Sequence, residues 1–159
     1  MNKFGVLNDN MTNIITKLTE NQNLCKLLYY NSQYPLQEPD IDGSLLLYNN
    51  IYPYPIGTDT ITEQKSLINV VFDDFKISGN SYFANNMITF AVLCHTDLWK
   101  IEEGANIRIF SILQEIDNLF NGSHVMGIGG LNFNSCNLVW ATKNYVGYRV
   151  SYKKLACDR

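Results

Sequence analysis

Apolar residues along this chain change period several times, and each change marks an element. Met11, Ile14, Ile15 and Leu18 recur at helical spacing, which predicts a helix from about Asn8 to Lys17 with one face buried. Thr19-Glu20-Asn21-Gln22 has the form of a capping box, in which the Thr hydroxyl and the Gln side chain satisfy free N–H groups at a helix start. A second short helix or turn from Glu20 to Tyr30 follows, with Leu24, Leu27 and Leu28 inward. It ends before Pro35, because the residue preceding proline is pushed out of helical geometry.

From Asn31 to Gln64 no period holds. Pro35, Pro39, Pro53 and Pro55 interrupt it, Gly43 and Gly57 punctuate it, and only Leu45 to Ile51 has the pattern of a short strand. Irregular segments longer than about 12–15 residues inside a domain tend to be functional or disordered, so residues 33–64 are a candidate contact arm. Its Tyr48, Tyr52 and Tyr54 suit a protein interface, where aromatics are enriched. The alternative is a loop folded back on its own domain.

Period two then takes over. Ser66 to Ser78 alternates Ile68, Val70 and Phe72 on one side, and Met87 to His95 alternates Ile88, Phe90, Val92 and Cys94. Gly79-Asn80 begins the connection, giving an antiparallel hairpin with a loop of roughly eight residues. Asn106 to Asn121 is the clearest helix, with Ile109, Ile112, Leu113, Ile116, Leu119 and Phe120 in one stripe and Gly122 at the stop. Strands from about Leu131 to Thr142 and from Tyr145 to Ala156 finish the chain, joined by Lys143-Asn144. Val146, Tyr148, Val150 and Tyr152 fall on one face, and Tyr145, Arg149 and Lys153 on the other, the pattern of a sheet with one side covered. The expected fold is a single α+β domain spanning 1–159: a four-stranded, mainly antiparallel sheet with the N-terminal helix and one central amphipathic helix on one face.

Composition sharpens this picture. Apolar residues make up 46% of the 159 residues and aromatics 13%, against 17% charged, which excludes a disordered, solvating chain. The low charge hints at surface buried against other molecules. The twenty Asn can follow from AT-rich coding and decide nothing about mechanism. The N-terminus lacks the apolar run of a signal peptide and no stretch approaches the length of a membrane span, so folding in cytoplasm and no membrane partner are expected. A net charge of −3 argues against specific or sequence-independent nucleic-acid binding, which needs many Lys and Arg on phosphates.

Charge is unevenly placed. From Pro35 to Phe75, Glu38, Asp40, Asp42, Asp59, Glu63, Asp73 and Asp74 face only Lys65; from Lys143 onward, Lys143, Arg149, Lys153, Lys154 and Arg159 face only Asp158. The plain reading is a solvated loop and a lysine-guarded edge strand.

Candidate chemistry is sparse. Cys94-His95 with Asp97 nearby invites a nucleophile–base reading, but neighbours on a strand point to opposite faces and cannot pair. His124 is the only other histidine and reads as a turn residue. Gly127-Ile128-Gly129-Gly130 precedes a strand, whereas a phosphate cradle opens a helix, so it reads as a turn or bulge. Asp40-Ile41-Asp42-Gly43 has its Gly two places early for a calcium loop and lacks the Glu at the twelfth position. Glu102-Glu103 and Asp73-Asp74 read as solvent-facing, and Trp99 as capping the core edge. The four cysteines, Cys25, Cys94, Cys136 and Cys157, show no C-x-x-C pair and read as reduced, mostly packed thiols. No catalytic residue, metal or cofactor is assigned.

The chain resembles the tail-terminator (tail-completion) family of tailed phages. The residues carrying the resemblance are the amphipathic helix around Ile14 to Leu28, Ile51-Tyr52-Pro53-Tyr54-Pro55 before a Lys65–Phe72 strand, Cys94-His95-Thr96-Asp97-Leu98-Trp99, the helix Ile107 to Phe120, and the two-stranded ending. The resemblance implies a virion structural protein of the tail or neck, assembled in the host cytoplasm. It would form a ring, usually of six copies, seated on the tail-tube protein and presented to the neck or connector protein, with DNA passing through. Contacts between copies are then expected at Tyr48, Tyr52, Tyr54, Asp40 and Asp42 on one side and at Arg149, Lys153 and Lys154 on the other. The long 33–64 segment exceeds the expected pattern, which leaves another neck or head-closure protein, or a small non-enzymatic binding or inhibitor module, as alternatives. A small hydrolase using Cys94 or Cys136 is a third class, for which no converging constellation is seen.

Overall fold

A computed structural model describes residues 3–77, 83–125 and 130–154. Helix α1 (Lys3–Glu20) starts five residues before the expected Asn8 and runs past Lys17. Its threonines satisfy their own hydroxyls: Thr12, Thr16 and Thr19 each donate to the carbonyl four residues back. Thr19 is therefore inside α1 and does not cap the next helix. Asn21 does, its side chain accepting from the Leu24 N–H at 3.0 Å to open α2 (Gln22–Tyr29). Gln22, the other expected member of the capping box, instead holds Ile41 of the arm through both its backbone N–H and its C=O.

The sheet has five strands in the order β1-β2-β3-β5-β4: β1 (Ile51–Tyr52), β2 (Ser66–Ile77), β3 (Phe83–His95), β4 (Leu131–Trp140) and β5 (Tyr145–Lys154). Four of them match the expected strands, and all pairs among those four are antiparallel. The fifth, β1, pairs parallel to β2 through Ile51–Ile68 and Tyr52–Asn69, so the sheet is mixed and five-stranded where four strands were expected. The expected Leu45–Ile51 strand is not formed. Gly43–Leu46 is a 3₁₀ turn capped by Asp42, and Tyr48, at φ 65°, turns the chain so that only Ile51 and Tyr52 reach the sheet. The Gly79-Asn80 connection and Ser78 lie outside the described residues, as does Ala156.

Helices α1, α2 and α3 (Arg108–Phe120) cover one face of the sheet. Ile14 and Leu18 of α1, Leu24, Leu27 and Leu28 of α2, and Ile109, Ile112, Ile116 and Phe120 of α3 meet Ile68, Val70, Ile88, Phe90, Val92, Cys94, Val150 and Tyr152. Each such buried side chain contributes roughly 1.5–3 kcal/mol, which is why the three amphipathic stripes cannot stay exposed. Phe90 lies at the centre, its ring 4.8 Å from Phe120 and 6.1 Å from Tyr152. Gly122, at φ 79°, closes α3 in the left-handed conformation expected at the stop.

Residues 33–64 fold back on the domain. Leu46 and Ile51 are fully buried in the helix-side core. The segment then crosses to the opposite face, where Ile56 and Ile61 pack on Leu67, Leu93 and Tyr145, and the Tyr145 hydroxyl donates to Glu63 O at 2.7 Å. The face expected to be bare is thus covered at that end. A second expectation is corrected by strand order: β5, which carries Arg149, Lys153 and Lys154, is an interior strand between β3 and β4. The edge is β4, and it carries no charge at all.

Candidate assembly surface

In an antiparallel pair, residues directly opposite share a face. Phe133 lies opposite Tyr152, Cys136 opposite Val150, Leu138 opposite Tyr148 and Trp140 opposite Val146, so all four β4 residues are on the helix side of the sheet. The helix layer reaches β4 at its start, where Asn121 at the end of α3 accepts from the Phe133 N–H at 3.2 Å. Further along, Phe110 of α3 leans that way, its ring 5.5 Å from Tyr148. Phe110 is 53% exposed, Phe133 51%, Leu138 51% and Trp140 68%. At about 100 Å² each, these four leave roughly 400 Å² of apolar side chain in water, within the range where exposed patches on soluble domains mark contact sites. A register shift between Phe133 and Ser135 bends the first half of the strand.

A groove lies at the other edge of the sheet. It holds about 700 Å³ between α1 and the arm, lined by Leu7, Met11, Ile15, Tyr48, Pro53 and Phe72, with Thr12, Thr16 and Ser44 at its rim. Phe72 is on β2 and Tyr48 and Pro53 flank β1, so the groove and the β4 strip lie at opposite margins of one sheet.

The residues expected to make contacts between copies divide between these margins. Tyr48 and Tyr54 are exposed and stacked with ring centroids 6.1 Å apart, and Tyr54 meets Tyr52 edge-on at 6.0 Å. Tyr52 itself is buried: its hydroxyl donates to Asn49 O at 3.1 Å, and Lys65 Nζ donates to that hydroxyl at 3.0 Å. Asp40 is exposed and pairs with Lys26 at 2.9 Å. Asp42 accepts from the hydroxyl and the N–H of Ser44, which together hold its carboxyl below the usual carboxylate range. With both acids so engaged, the Asp-Ile-Asp-Gly stretch serves as arm anchor. On β5, one strand in from the far margin, alternation sets Arg149 and Lys153 on the sheet face away from the helices and Lys154 on the helix side.

Sequence reasoning missed Phe110, Phe133, Leu138 and Trp140. A signal was present: from Leu131 to Thr142 there is no charged residue, in a strand with large apolar side chains. It also missed Arg108, which is buried yet opens α3, where a cation is disfavoured by the helix dipole. A family model described as YomW matches residues 21–154. The chain belongs to the YomW family. The matched region of this YomW-family chain runs from α2 through β5 and so contains the arm and the β4 strip, whereas the α1 wall of the groove precedes it. No curated protein and no solved structure matches.

In this YomW-family chain Cys94, His95 and Trp99 are engaged in packing and hydrogen bonds, whereas Cys136 is an exposed thiol on β4. Cys94 is fully buried, 3.1 Å from the Ser66 hydroxyl, while His95 on the opposite face packs edge-on against Tyr145 and accepts from the Asp97 N–H. Trp99 packs against the core and donates to Cys94 O at 3.2 Å. Asp73, Asp74 and Glu103 are exposed and Glu102 is half-buried; His124 is exposed. Of the glycine run only Gly130 is described, and Cys157 also lies outside the described residues. Among the described residues no three His, Cys, Asp or Glu gather as a metal site, and no helix is long and apolar enough to cross a membrane.

Burial pushes the Cys25 and Cys94 thiols up to about 11, from an ordinary value near 9; a nearby Asp42 adds to the first, and the Ser66 hydrogen bond opposes the second. The unfolded chain then binds fewer protons than the folded one between pH 9 and 11. The contribution is fully present below pH 9 and is lost as pH rises towards 11. Urea unfolding at pH 8 and at pH 10.5 should show a loss of about 2–4 kcal/mol. A Cys25→Ala, Cys94→Ala variant should lose much less; equal losses in both proteins would exclude the thiols as the cause.

Proposed function

We propose that this chain is a phage-related structural subunit that works by binding copies of itself and neighbouring virion parts, and that it terminates a tail tube as a ring. The observation that carries this reading is the exposed apolar strip Phe110, Phe133, Leu138 and Trp140 on and beside an uncharged edge strand. Monomeric proteins guard long apolar edges with charge, proline or a covering loop. Among the described residues β4 carries no charge and no proline, and its register shift at Phe133–Ser135 disturbs only the start of the strand, which favours a partner over solvent for the rest. A family name of phage type supports the phage part of the reading. Tail-tube and connector proteins are the partners it implies, in the virion tail or neck.

Charge supports contact between copies. The β4–β5 hairpin, 131–154, has four bases and no acid; the arm, 33–64, has five acids and no base. Lys26 and Lys65 meet Asp40 and Glu63, which leaves Glu38, Asp42 and Asp59 without a cation among the described residues. Complementary surfaces of this kind set partner choice and register.

The purified chain should sediment as a closed oligomer several times its 18.2 kDa mass and appear as rings by negative-stain microscopy. Reversing Lys153 and Lys154 to Glu should shift that oligomer towards monomer at low salt. Monomer at every concentration, with no binding to tail tubes, would reject the reading and favour a small inhibitor module.

A further inference from the structure

We propose that neighbouring copies lock head to tail, with the Phe110, Leu138 and Trp140 strip of one copy seated in the groove between α1 and the arm of the next. The inference rests on the assembly reading above and specifies its contact. Three observations lead to it. The strip projects from the β4 margin of the sheet, whereas the groove opens at the β1 margin, so one copy carries both halves of the contact at opposite ends. A contact between two different patches repeats from copy to copy and closes into a ring if the rotation allows. The groove is also apolar in its floor, with Leu7, Met11, Ile15 and Phe72, and polar at its rim, the anatomy of a protein-binding site.

Charge decides the occupant. Pairing β4 with β4 of a second copy around a two-fold axis would bring Lys143, Arg149 and Lys153 towards their own counterparts, none of which meets an acid among the described residues. It would also leave Glu38, Asp42 and Asp59 uncovered. Seating the strip in the next copy's groove instead carries the basic hairpin to the acidic arm, with Ser44, beside Asp42, on the groove rim. The register shift at Phe133–Ser135 further takes part of β4 out of line for strand pairing, which leaves side-chain insertion as the better use of this edge.

The test uses two full-length variants at exposed positions. Trp140→Asp removes the projecting side chain, and Thr12→Arg fills the groove from the α1 rim. Each should fold with the parent's circular dichroism and urea midpoint, and each alone should associate roughly 30-fold or more weakly by sedimentation velocity. Mixed one to one, a Trp140→Asp copy still offers a groove and a Thr12→Arg copy still offers a strip. The mixture should therefore give a species of twice the 18.2 kDa chain mass and nothing larger. Should Thr12→Arg fail to fold, Tyr48→Asp at the opposite wall takes its place. A mixture that stays monomeric would overturn the proposal, and a Thr12→Arg copy that pairs with itself at parental strength would point to a self-paired β4 interface and overturn it as well. Assembly by both variants at parental strength would overturn it too, while leaving the ring reading intact. A parent that never assembles would remove both.

Discussion

Replacing Arg108 with Met should cost about 3–5 kcal/mol of folding stability, the largest loss expected from any single side chain in this domain. The guanidinium is 1% exposed and meets no carboxylate among the described residues. Its charge is held by carbonyls: Nε donates to Leu98 O at 2.9 Å, one terminal nitrogen to Leu27 O at 2.6 Å and Tyr30 O at 2.8 Å, and the other to Ser32 O at 3.0 Å. Leu27 and Tyr30 belong to the end of α2, where the helix dipole is negative, so the cation satisfies free carbonyls and the dipole together. Burial pushes its pKa down, against a smaller opposing effect of Cys94. Methionine fills much of the volume but leaves these acceptors unpaired, at roughly 1–3 kcal/mol each before any water enters. Lysine should recover only part of the loss, because one ammonium cannot reproduce a planar fork spanning three chain segments. Urea denaturation would measure this, and a drop of roughly 10 °C in Tm should accompany it. A loss below about 1 kcal/mol would mean that the four hydrogen bonds do not stitch α2, α3 and the 96–98 turn together.

Arg108 also marks the limit of what periodicity reveals. Helices α1 and α3 and strands β2, β3 and β5 were legible because their apolar residues repeat at 3.6 or 2 through at least three successive turns of the pattern. The arm was not, since Leu45, Leu46 and Leu47 form an apolar run without a period, and their fate is settled by the Asp42 cap and the turn at Tyr48. Strand β1 contributes two residues, too few to carry a pattern. The candidate surface depended on strand order, which is not local. Lys153 and Lys154 would guard an edge if the last strand in sequence were the last in the sheet. Because β4 is laid down outside β5, the guarded strand is interior and the uncharged one is exposed. Of the arm tyrosines expected at a contact surface, Tyr48 and Tyr54 stack at the surface and Tyr52 turns inward, a division set by the fold of the arm.

The second large effect is expected from adding one methyl group. In Gly43→Ala the new Cβ would stand 1.8 Å from the carbonyl oxygen of Thr19 and 2.8 Å from its carbon, with the Cys25 sulfur at 3.0 Å. The first two are backbone atoms at the end of α1 and cannot swing aside as a side-chain tip would. Either the α1 terminus or the arm must move, at an expected cost of about 3 kcal/mol. The arm is the weaker partner. It is held at this point by the paired Gln22–Ile41 hydrogen bonds and the Lys26–Asp40 ion pair, whose carboxylate is exposed and screened by water. Lifting it would carry Ser44, Leu47 and Tyr48 away from α1 and open the groove they line, while the β4 strip stays in place at the far margin. Gly43→Ala should therefore reproduce the association defect of Thr12→Arg, dimerise with Trp140→Asp copies, and become sensitive to limited proteolysis within residues 33–50. Resistance to protease together with a stability loss under about 1 kcal/mol would show that the α1 end yields instead, and that the arm is fixed by its 3₁₀ turn and the burial of Leu46.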